Sequence, residues 1–212
     1  MGIKQRRQDV AAVRRRDIIN AAWGQIESKG LMAVTMDEIA SKAEYTKQTV
    51  YSYFASKDEL LVAIYLERFR ERWRLNQERM DAMSTGIGKL LAFASSYYSY
   101  FIRHPADLQL MMYMDFRGLY STETYKKLYA QQSEYYDSTD KYMQSALRQA
   151  QDEGKVRRGL DSLWTLSSFY LSLRTNLNKA MMNKSISPAK RKEIYFAFVD
   201  IFLRGMSPDR DK

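Results

Sequence analysis

A run of hydrogen-bonding side chains in the first quarter of the chain has the residue types needed for molecular recognition. The run consists of Lys47, Gln48, Thr49, Tyr51 and Tyr53. Amines, amides, hydroxyls and phenol rings can contact base edges and phosphate oxygens. At the N-terminal end of a short helix, such side chains are typical of a recognition helix in the major groove of DNA. The run therefore predicts a nucleic-acid-binding surface.

Capping signals predict that this surface lies on the second of two short helices. Thr35 and Glu38 have the three-residue spacing of a capping box, so a first helix is expected to begin at Thr35 or Met36. Thr46 is the expected N-cap of the second helix, whose buried side includes Val50. The two helices and the turn between them form one candidate unit.

The stretch AEYTKQTVYSYFASKDEL, residues 43 to 60, resembles the helix-turn-helix signature of TetR-family transcriptional regulators. The matching positions run from Arg16 to about Leu61. The resemblance implies that Lys47, Gln48 and Thr49 face bases. It further implies phosphate contacts by a second set of residues, namely Thr35, Thr46, Tyr51, Tyr53 and Lys57.

Two positions depart from the family pattern. The family commonly has glycine where this chain has Glu44, and it often has glycine at the position of Gln48. A left-handed backbone at Glu44 would cost about 1 kcal/mol. Gln48 instead adds an amide that can pair bidentately with an adenine edge.

The chain is basic, with 34 lysines and arginines against 25 aspartates and glutamates, a net charge of +9. This balance favours an anionic partner without deciding between DNA, RNA and a membrane, and a solvated basic surface is the alternative. Before residue 17 only Asp9 opposes a basic arm that consists of Lys4, Arg6, Arg7, Arg14, Arg15 and Arg16. The arm is expected to lie on phosphates or to enter a minor groove, with Arg14 and Arg15 as candidate DNA contacts.

The chain has no cysteine and one histidine, which excludes disulfides, zinc-thiolate sites and thiol nucleophiles. His104 has no second histidine and no glycine-rich nucleophile or phosphate loop with which to form a triad, zinc site or nucleotide site. We therefore expect no catalytic residue, no metal, no cofactor and no enzyme activity. An enzyme or carrier is the alternative class, and a turnover assay would be needed to support it.

No apolar run approaches the roughly 20 residues of a membrane span, and the N-terminus lacks the apolar core of a signal peptide. These features predict a cytoplasmic protein without a membrane partner.

Apolar periodicity predicts an all-α chain of about nine helices. Outside the two short helices, it indicates helices over residues 10–29, 57–80, 90–102, 106–117, 122–153, 160–182 and 188–203. Ser84, Thr85, Gly86 and Gly88 indicate a loop. Residues 122–153 contain no proline or glycine and are expected to form one helix, with a break near Ser138 as the alternative.

Three segments are predicted along the chain. Residues 1–56 would form the N-terminal basic arm and helix-turn-helix domain, residues 57–206 a helical effector-binding and dimerisation domain, and residues 207–212 a C-terminal tail. Ser56 and Glu59 predict a further capping box before a helix that begins at about Lys57. The resemblance implies that this helix connects the DNA-binding domain to the sensor.

The last two helices carry more apolar surface than one neighbour can cover. From Ile194 to Leu203 every residue except Asp200 is apolar. Together with the resemblance, this predicts a homodimer interface of four helices that includes Trp164, Leu173, Leu177, Ile194, Phe198, Ile201 and Phe202. Burial within one chain is the alternative. A twofold dimer would present two recognition helices to a near-palindromic operator.

Methionine and aromatic side chains are abundant in the middle of the chain. The resemblance implies a pocket there for a small hydrophobic or aromatic effector, although most of these residues are expected to belong to the core. The candidates are Trp73, Tyr97, Phe101, Met111, Met114, Asp115, Tyr129, Phe169 and Tyr170. The expected function is a repressor that leaves DNA when effector binds. The alternative is a DNA-binding structural protein without an effector, which would show strong salt dependence and little sequence preference.

Overall fold

The computed structural model describes residues 2–208, and this part of the chain is α-helical without strands. Its ten α-helices are α1 (Ile3–Lys29), α2 (Met36–Lys42), α3 (Lys47–Tyr53), α4 (Lys57–Asp81), α5 (Gly86–Arg103), α6 (Pro105–Phe116), α7 (Glu123–Ala130), α8 (Ser133–Asp152), α9 (Ser162–Met182) and α10 (Pro188–Gly205). Two short 3-10 turns occupy Leu31–Ala33 and Leu119–Ser121. The predicted all-α class is confirmed. Of the predicted tail, residues 209–212 lie outside the described part.

The first compact unit consists of the chain up to Arg70 together with His104–Gln132. Within it α1 packs on α2 and α2 on α3, while α6 contacts the 3-10 turn Leu31–Ala33. The core between the first three helices is fully apolar and includes Ile18, Ile26, Ile39 and Val50, each no more than 2% exposed. The helix-turn-helix and α6 therefore belong to one packed body.

Polar bonds join α4 to its neighbours inside this first unit. Arg68 donates from Nε and Nη2 to the two carboxylate oxygens of Asp107 on α6, at 3.0 and 2.9 Å. The Arg68 guanidinium also lies over the ring of Trp23 on α1. Near the start of α4, Asp58 accepts hydrogen bonds from the Tyr113 hydroxyl (3.0 Å) and from Arg117 (3.1 Å). These side chains tie α6 to both ends of the α4 segment that belongs to this unit.

The second compact unit consists of Glu71–Arg103 and the chain from Ser133 onward. Here α5 packs on α8, α8 on α9, and α9 on α10. The ring of Phe93 is central, with the rings of Trp73, Tyr97, Phe169 and Tyr170 at centroid distances of 5.3 to 6.4 Å. Aromatic packing therefore supplies much of this core.

A close helix approach in the second unit occurs at Gly86, the first residue of α5. A Cβ atom on Gly86 would lie 2.2 Å from the backbone nitrogen of Ala150 on α8. The Gly86 N–H donates to the Glu153 carboxylate at 3.0 Å, which caps α5 from the neighbouring helix. The predicted loop is confirmed at Ser84 and Thr85 but is wrong for Gly86 and Gly88, because both glycines lie in the first turn of α5.

The single helix predicted over residues 122–153 is also wrong. The chain breaks at Gln131 and Gln132, so α7 and α8 are separate, and Ser138 lies within α8. No proline or glycine marks the break. The physical reason lies in packing, since α7 contacts the Leu119–Ser121 turn whereas α8 packs on α5 and α9.

The two compact units group the chain differently from the sequence-based division at residue 56. Helix α4 contributes its residues up to Arg70 to the first unit and its residues from Glu71 to the second. The functional division into residues 1–56 and 57–206 stays a prediction. Within the described residues, no helix has the length and apolar character needed to cross a bilayer.

Candidate nucleic-acid interface

A reciprocal capping box fixes the start of α2, as predicted. Thr35 Oγ1 accepts a hydrogen bond from the Glu38 N–H at 3.3 Å, and the Glu38 carboxylate accepts one from the Thr35 N–H at 3.0 Å. Glu38 also accepts from Lys29 Nζ at 2.7 Å. The lysine bond, reinforced by the Thr35 bonds, lowers the pKa of Glu38 from 4.5 to about 2. Thr35 is thus held at the start of α2.

Thr46 caps α3, as predicted. Its hydroxyl accepts from the Thr49 N–H at 3.1 Å and shares a hydrogen bond with the Thr49 hydroxyl at 2.8 Å. Val50 points into the core without any exposed surface. Burial of this side fixes the rotation of α3, so Gln48 and Tyr51 lie on its exposed side.

Lys47 opens α3 and is paired with α2. Its Nζ lies 2.8 Å from Asp37 Oδ1, and this hydrogen bond raises the pKa of Lys47. Both side chains are exposed, so the pair is screened by solvent. Lys47 is therefore positioned by Asp37 but remains accessible to an anionic partner.

The turn between α2 and α3 has a left-handed residue at Glu44, with φ of 59°. The backbone strain anticipated from the missing glycine is therefore present. The next residue, Tyr45, donates its hydroxyl to Asp17 on α1 at 2.9 Å. That bond raises the pKa of Tyr45 and anchors the turn to α1.

Two predicted phosphate contacts have partners inside the first unit. Lys57 Nζ donates to the carbonyls of Leu31 and Val34, at 2.9 and 2.6 Å, and burial lowers its pKa. Arg15 lies over the ring of Phe54, 5.1 Å from its centroid. Its Nη1 is also 3.4 Å from a carboxylate oxygen on α4. Neither cation is as accessible as the sequence suggested.

The capping box predicted at Ser56 is formed only in part. The Ser56 hydroxyl accepts from the Glu59 N–H at 3.1 Å. The Glu59 carboxylate, however, accepts from the N–H of Ala55 rather than from that of Ser56. The carboxylate bond is therefore shifted by one residue, but the N–H groups of Ala55 and Glu59 both have an acceptor near the start of α4.

The basic arm is helical from Ile3, seven residues before the predicted helix start. Arg14 lines a surface groove together with Tyr53, the last residue of α3. The structure therefore brings two of the predicted DNA-contacting residues together beside the recognition helix.

The predicted dimer surface is only partly exposed. Trp164 is 73% exposed, Ile201 67% and Ile194 38%, whereas Phe198 and Phe202 are half-buried. Leu173 and Leu177 have no exposed surface, so their assignment to an interface is corrected to the core of the chain.

The sequence prediction missed apolar residues that extend this surface. Leu171 and Met182 are 54% and 75% exposed, and with Trp164 they recur at seven- and eleven-residue spacings along one side of α9. In the sequence, apolar residues occur on more than one side of α9. They could not be divided into buried and exposed residues without knowing which side of α9 packs on α10.

The effector candidates fall into two sets. Trp73, Tyr97, Phe101, Phe169 and Tyr170 lie in the second unit, where burial raises the pKa of Tyr170. The first unit contains the remaining four candidates, Met111, Met114, Asp115 and Tyr129. In the second unit the ring of Phe93 packs against those of Tyr97, Phe169 and Tyr170.

The N-terminal helices are similar in sequence to those of known regulatory proteins. Residues 18–64 match the family described as bacterial regulatory proteins, tetR family. A segment of 51 residues is 43% identical to the HTH-type transcriptional regulator BetI of Rhizobium meliloti (strain 1021). This segment spans 24% of the chain and 25% of BetI, so the match is confined to a quarter of that protein.

Structural comparison extends over nearly the whole chain. FadR from Bacillus subtilis, solved in complex with stearoyl-CoA, has a TM-score of 0.68 at 19% identity, covering 90% of this chain and 98% of FadR. SmeT, the repressor of the Stenotrophomonas maltophilia multidrug efflux pump SmeDEF, has a TM-score of 0.60 at 24% identity, covering 92% and 91%. At 19% and 24% identity, this similarity establishes the fold of the chain and not its function. Residues 18–64 therefore match the tetR family of bacterial regulatory proteins, and the chain shares the fold of FadR and SmeT over at least 90% of its length.

Proposed function

We propose that the chain is a ligand-responsive repressor that binds a near-palindromic operator as a homodimer and leaves it when a small hydrophobic or aromatic effector binds. The observation that carries the proposal is the exposed surface of α3, where Gln48 and Tyr51 lie beside a helix start fixed by Thr46. Such a surface is suited to contacts with DNA.

Lys47, Gln48 and Thr49 are assigned to base edges in the major groove. Because Thr49 also bonds to Thr46, its hydroxyl contributes mainly by holding the first turn in place. Phosphate contacts are assigned to the residues that flank this turn, namely Thr35, Thr46, Tyr51, Tyr53, Lys57, Arg14 and Arg15. Among these, Lys57 and Arg15 would have to exchange internal partners for phosphate oxygens.

Base reading can be tested by selecting bound duplexes from a random pool. Gln48→Ala should relax the preference at one base pair, with a loss of about 1 to 3 kcal/mol on the preferred site. Gln109→Ala is the matched control, because Gln109 is an exposed glutamine that belongs to α6 and not to α3. An unchanged base preference in the Gln48 variant would refute its assignment.

Dimerisation is supported by the exposed apolar side of α9 and α10. Trp164, Leu171 and Ile201 are more than half exposed, a large apolar surface for two neighbouring helices to leave in water. Trp164→Asp/Ile201→Asp should give a folded monomer by sedimentation, with loss of tight operator binding. Phe116→Asp changes an 88% exposed aromatic residue in the first unit and should leave the dimer intact. A wild-type monomer at micromolar concentration would refute the dimer.

The effector assignment is supported by two kinds of observation. Aromatic candidates in the second unit pack around Phe93, and FadR was solved with stearoyl-CoA, a molecule with a long apolar chain. In the first unit, α6 carries Met111, Met114 and Asp115, and Tyr113 on the same helix donates to Asp58 at the start of α4. A ligand that displaced α6 would therefore act directly on the body that holds α3.

The effector would release the protein from DNA through a population shift. An effector that prefers a conformation with wrongly spaced recognition helices lowers DNA affinity by the factor of that preference. Operator titrations with and without hydrophobic and aromatic compounds would measure this factor. Sequence-specific binding that no compound alters would favour an effector-free regulator, and binding that depends on salt but not on sequence would favour a DNA-binding structural protein.

A further inference from the structure

A buried amide in the second unit has an acceptor atom that the packed helices leave unused. Asn76 lies in the part of α4 that belongs to this unit and is 2% exposed. Its Oδ1 atom accepts no hydrogen bond from any of the described residues. Burying an amide is unfavourable unless a new partner replaces the water that it loses. Since leucine would fill a similar space without this cost, packing alone does not account for an asparagine here.

Asn76 lies on the side of α4 that meets the aromatic rings of α5. It follows Arg72 by four residues and Trp73 by three, and these spacings place all three on one side of a helix. The Trp73 ring is 6.4 Å from that of Phe93, and the Arg72 guanidinium is 5.2 Å from the ring of Phe101. The unused acceptor therefore lies beside the aromatic cluster of the second unit.

The aromatic cluster is buried at its centre and reaches solvent at one edge. Phe93 and Trp73 are 3% and 6% exposed. Tyr142, 5.9 Å from the Trp73 ring, and Tyr170, 5.3 Å from the Phe93 ring, are half-buried. An apolar ligand that enters beside these two tyrosines would bury its body against the central rings and bring a polar group towards Asn76.

The charges around Asn76 select the chemistry of that polar group. A carbonyl oxygen such as Oδ1 only accepts, so the ligand has to supply an O–H or N–H. The positive charge of Arg72, 5% exposed and one turn earlier on the same side, disfavours an ammonium group. A carboxylate has no proton to donate at neutral pH. A neutral hydroxyl group meets both conditions.

A cationic ligand is the competing class, because an acidic residue lies near the edge of the cluster. The charge of Asp140 adds to the effect of burial in raising the pKa of Tyr170, so the carboxylate lies close to this ring. Asp140 itself is exposed. A cation paired with it would remain at the edge and would leave the acceptor of Asn76 unused.

We propose that the second unit binds a hydroxylated aromatic compound whose O–H donates to Asn76 Oδ1. The inference rests on the proposed function, and it narrows the effector from any small hydrophobic molecule to one chemical class. The rings around Phe93 supply apolar contact, and the hydrogen bond fixes the orientation of the ligand. Asn76 is thereby a specificity-determining residue.

The first test compares ligands that share a ring system and differ in one polar group. Naphthol, methoxynaphthalene, naphthoate and naphthylmethylammonium are titrated into wild-type protein by calorimetry. Naphthol should bind at least about tenfold more tightly than its methyl ether, because the ether cannot donate a hydrogen bond. Phenol and anisole repeat this comparison on a smaller ring. Tighter binding of the ether, the acid or the ammonium compound, or no binding of either hydroxyl compound, would overturn the proposal.

The second test removes the amide. Asn76→Leu should lose the preference for naphthol, and without ligand it should melt about 2 to 4 °C higher than wild type, because an apolar side chain replaces a buried amide that lacks a partner. A lower melting temperature would show that the amide has a structural role and would overturn the proposal, as would a retained preference.

Asn176→Leu is the matched control for this variant. Asn176 is a half-buried asparagine of α9 in the same unit, but its Nδ2 donates to the Ser172 carbonyl at 3.0 Å. The control makes the same exchange at an amide that has a partner. It should therefore retain the preference for naphthol without the gain in melting temperature.

Operator release separates this inference from the proposed function. In titrations with the selected duplex, naphthol should weaken DNA binding by wild type but not by Asn76→Leu. If naphthol binds with the expected preference and DNA affinity does not change, the ligand site stands and the ligand-responsive function fails. If another compound of the panel releases the DNA and naphthol has no advantage over its ether, the function stands and this inference fails.

Discussion

Each of the two compact units has an apolar core, but the further contacts within each unit are of different kinds. In the first unit, individual polar bonds join the elements, as in the pair between Arg68 and Asp107 and the bond from Tyr113 to Asp58. In the second unit, the rings around Phe93 and the close backbone approach at Gly86 join the helices. The first unit contains the DNA-binding helices, and the second contains the exposed apolar side of α9 and α10.

The difference has a mechanical consequence. A polar bond is present or absent, so an element held by a few such bonds can move between discrete positions. Ring packing is spread over many weak contacts and resists displacement as a whole. The attachment of α6 to α4 in the first unit is therefore suited to shift between positions, and the ring cluster of the second unit to hold its shape.

The largest expected effect comes from the buried ion pair of the first unit. Asp107→Ala removes a carboxylate whose side chain is 1% exposed and leaves Arg68 without its bidentate partner. The free energy of unfolding should fall by about 3 to 5 kcal/mol, measured by urea denaturation. Glu123→Ala, at an 88% exposed carboxylate, is the control and should change little. A loss below about 1 kcal/mol at Asp107 would show that this ion pair does not hold α6 to α4.

A smaller loss is expected where the second unit depends on close packing. Gly86→Ala places a methyl group against the backbone of Ala150 and should cost about 1 to 3 kcal/mol, because backbone atoms cannot rotate away. Gly24→Ala is the control, since no atom lies within 4 Å of its new Cβ and alanine favours a helix. Equal thermal stability of the two variants would contradict the proposed role of this contact.

The turn between α2 and α3 should become more stable when its strain is removed. Glu44→Gly should raise the free energy of unfolding by up to about 1 kcal/mol, because glycine adopts a positive φ without steric conflict. Glu44→Ala retains the Cβ and should bring no such gain. Equal thermal stability of the two variants would show that the positive φ at residue 44 does not destabilise the turn.

The smallest effect concerns the acid response of the first unit. The folded-state pKa of Glu38 is about 2, below its ordinary value of 4.5. Its ionised form therefore contributes stability above pH 4.5, and this contribution is lost as the pH falls from there towards 2. Glu38→Gln should flatten the pH dependence of unfolding in this window. Direct titration by NMR would contradict the assignment if Glu38 showed an ordinary pKa.

The same comparison explains which features were predictable from sequence. The caps at Thr35 and Thr46 were predicted correctly because each bond spans three residues and is encoded locally. The left-handed turn at Glu44 followed from a family pattern in which glycine is common at that position. Local signals of this kind are concentrated in the helix-turn-helix.

Features that depend on distant residues were not predictable. The helix start at Gly86 is stabilised by Glu153, which is 67 positions away in sequence. The break at Gln131 has no turn residue, and Leu177 is buried because of how α9 packs. Lys57 likewise matches a phosphate-contact position, but its carbonyl partners at Leu31 and Val34 become neighbours only after folding.

Because Trp164 is exposed, its fluorescence can report on the apolar side of α9 on which it lies. The other two tryptophans lie elsewhere, with Trp23 under the Arg68 guanidinium and Trp73 among the rings of the second unit. Indole emission moves to shorter wavelength when the ring passes from water into apolar surroundings. A chain with Trp23 and Trp73 replaced by phenylalanine would therefore report association at this side through its own fluorescence, without an attached dye.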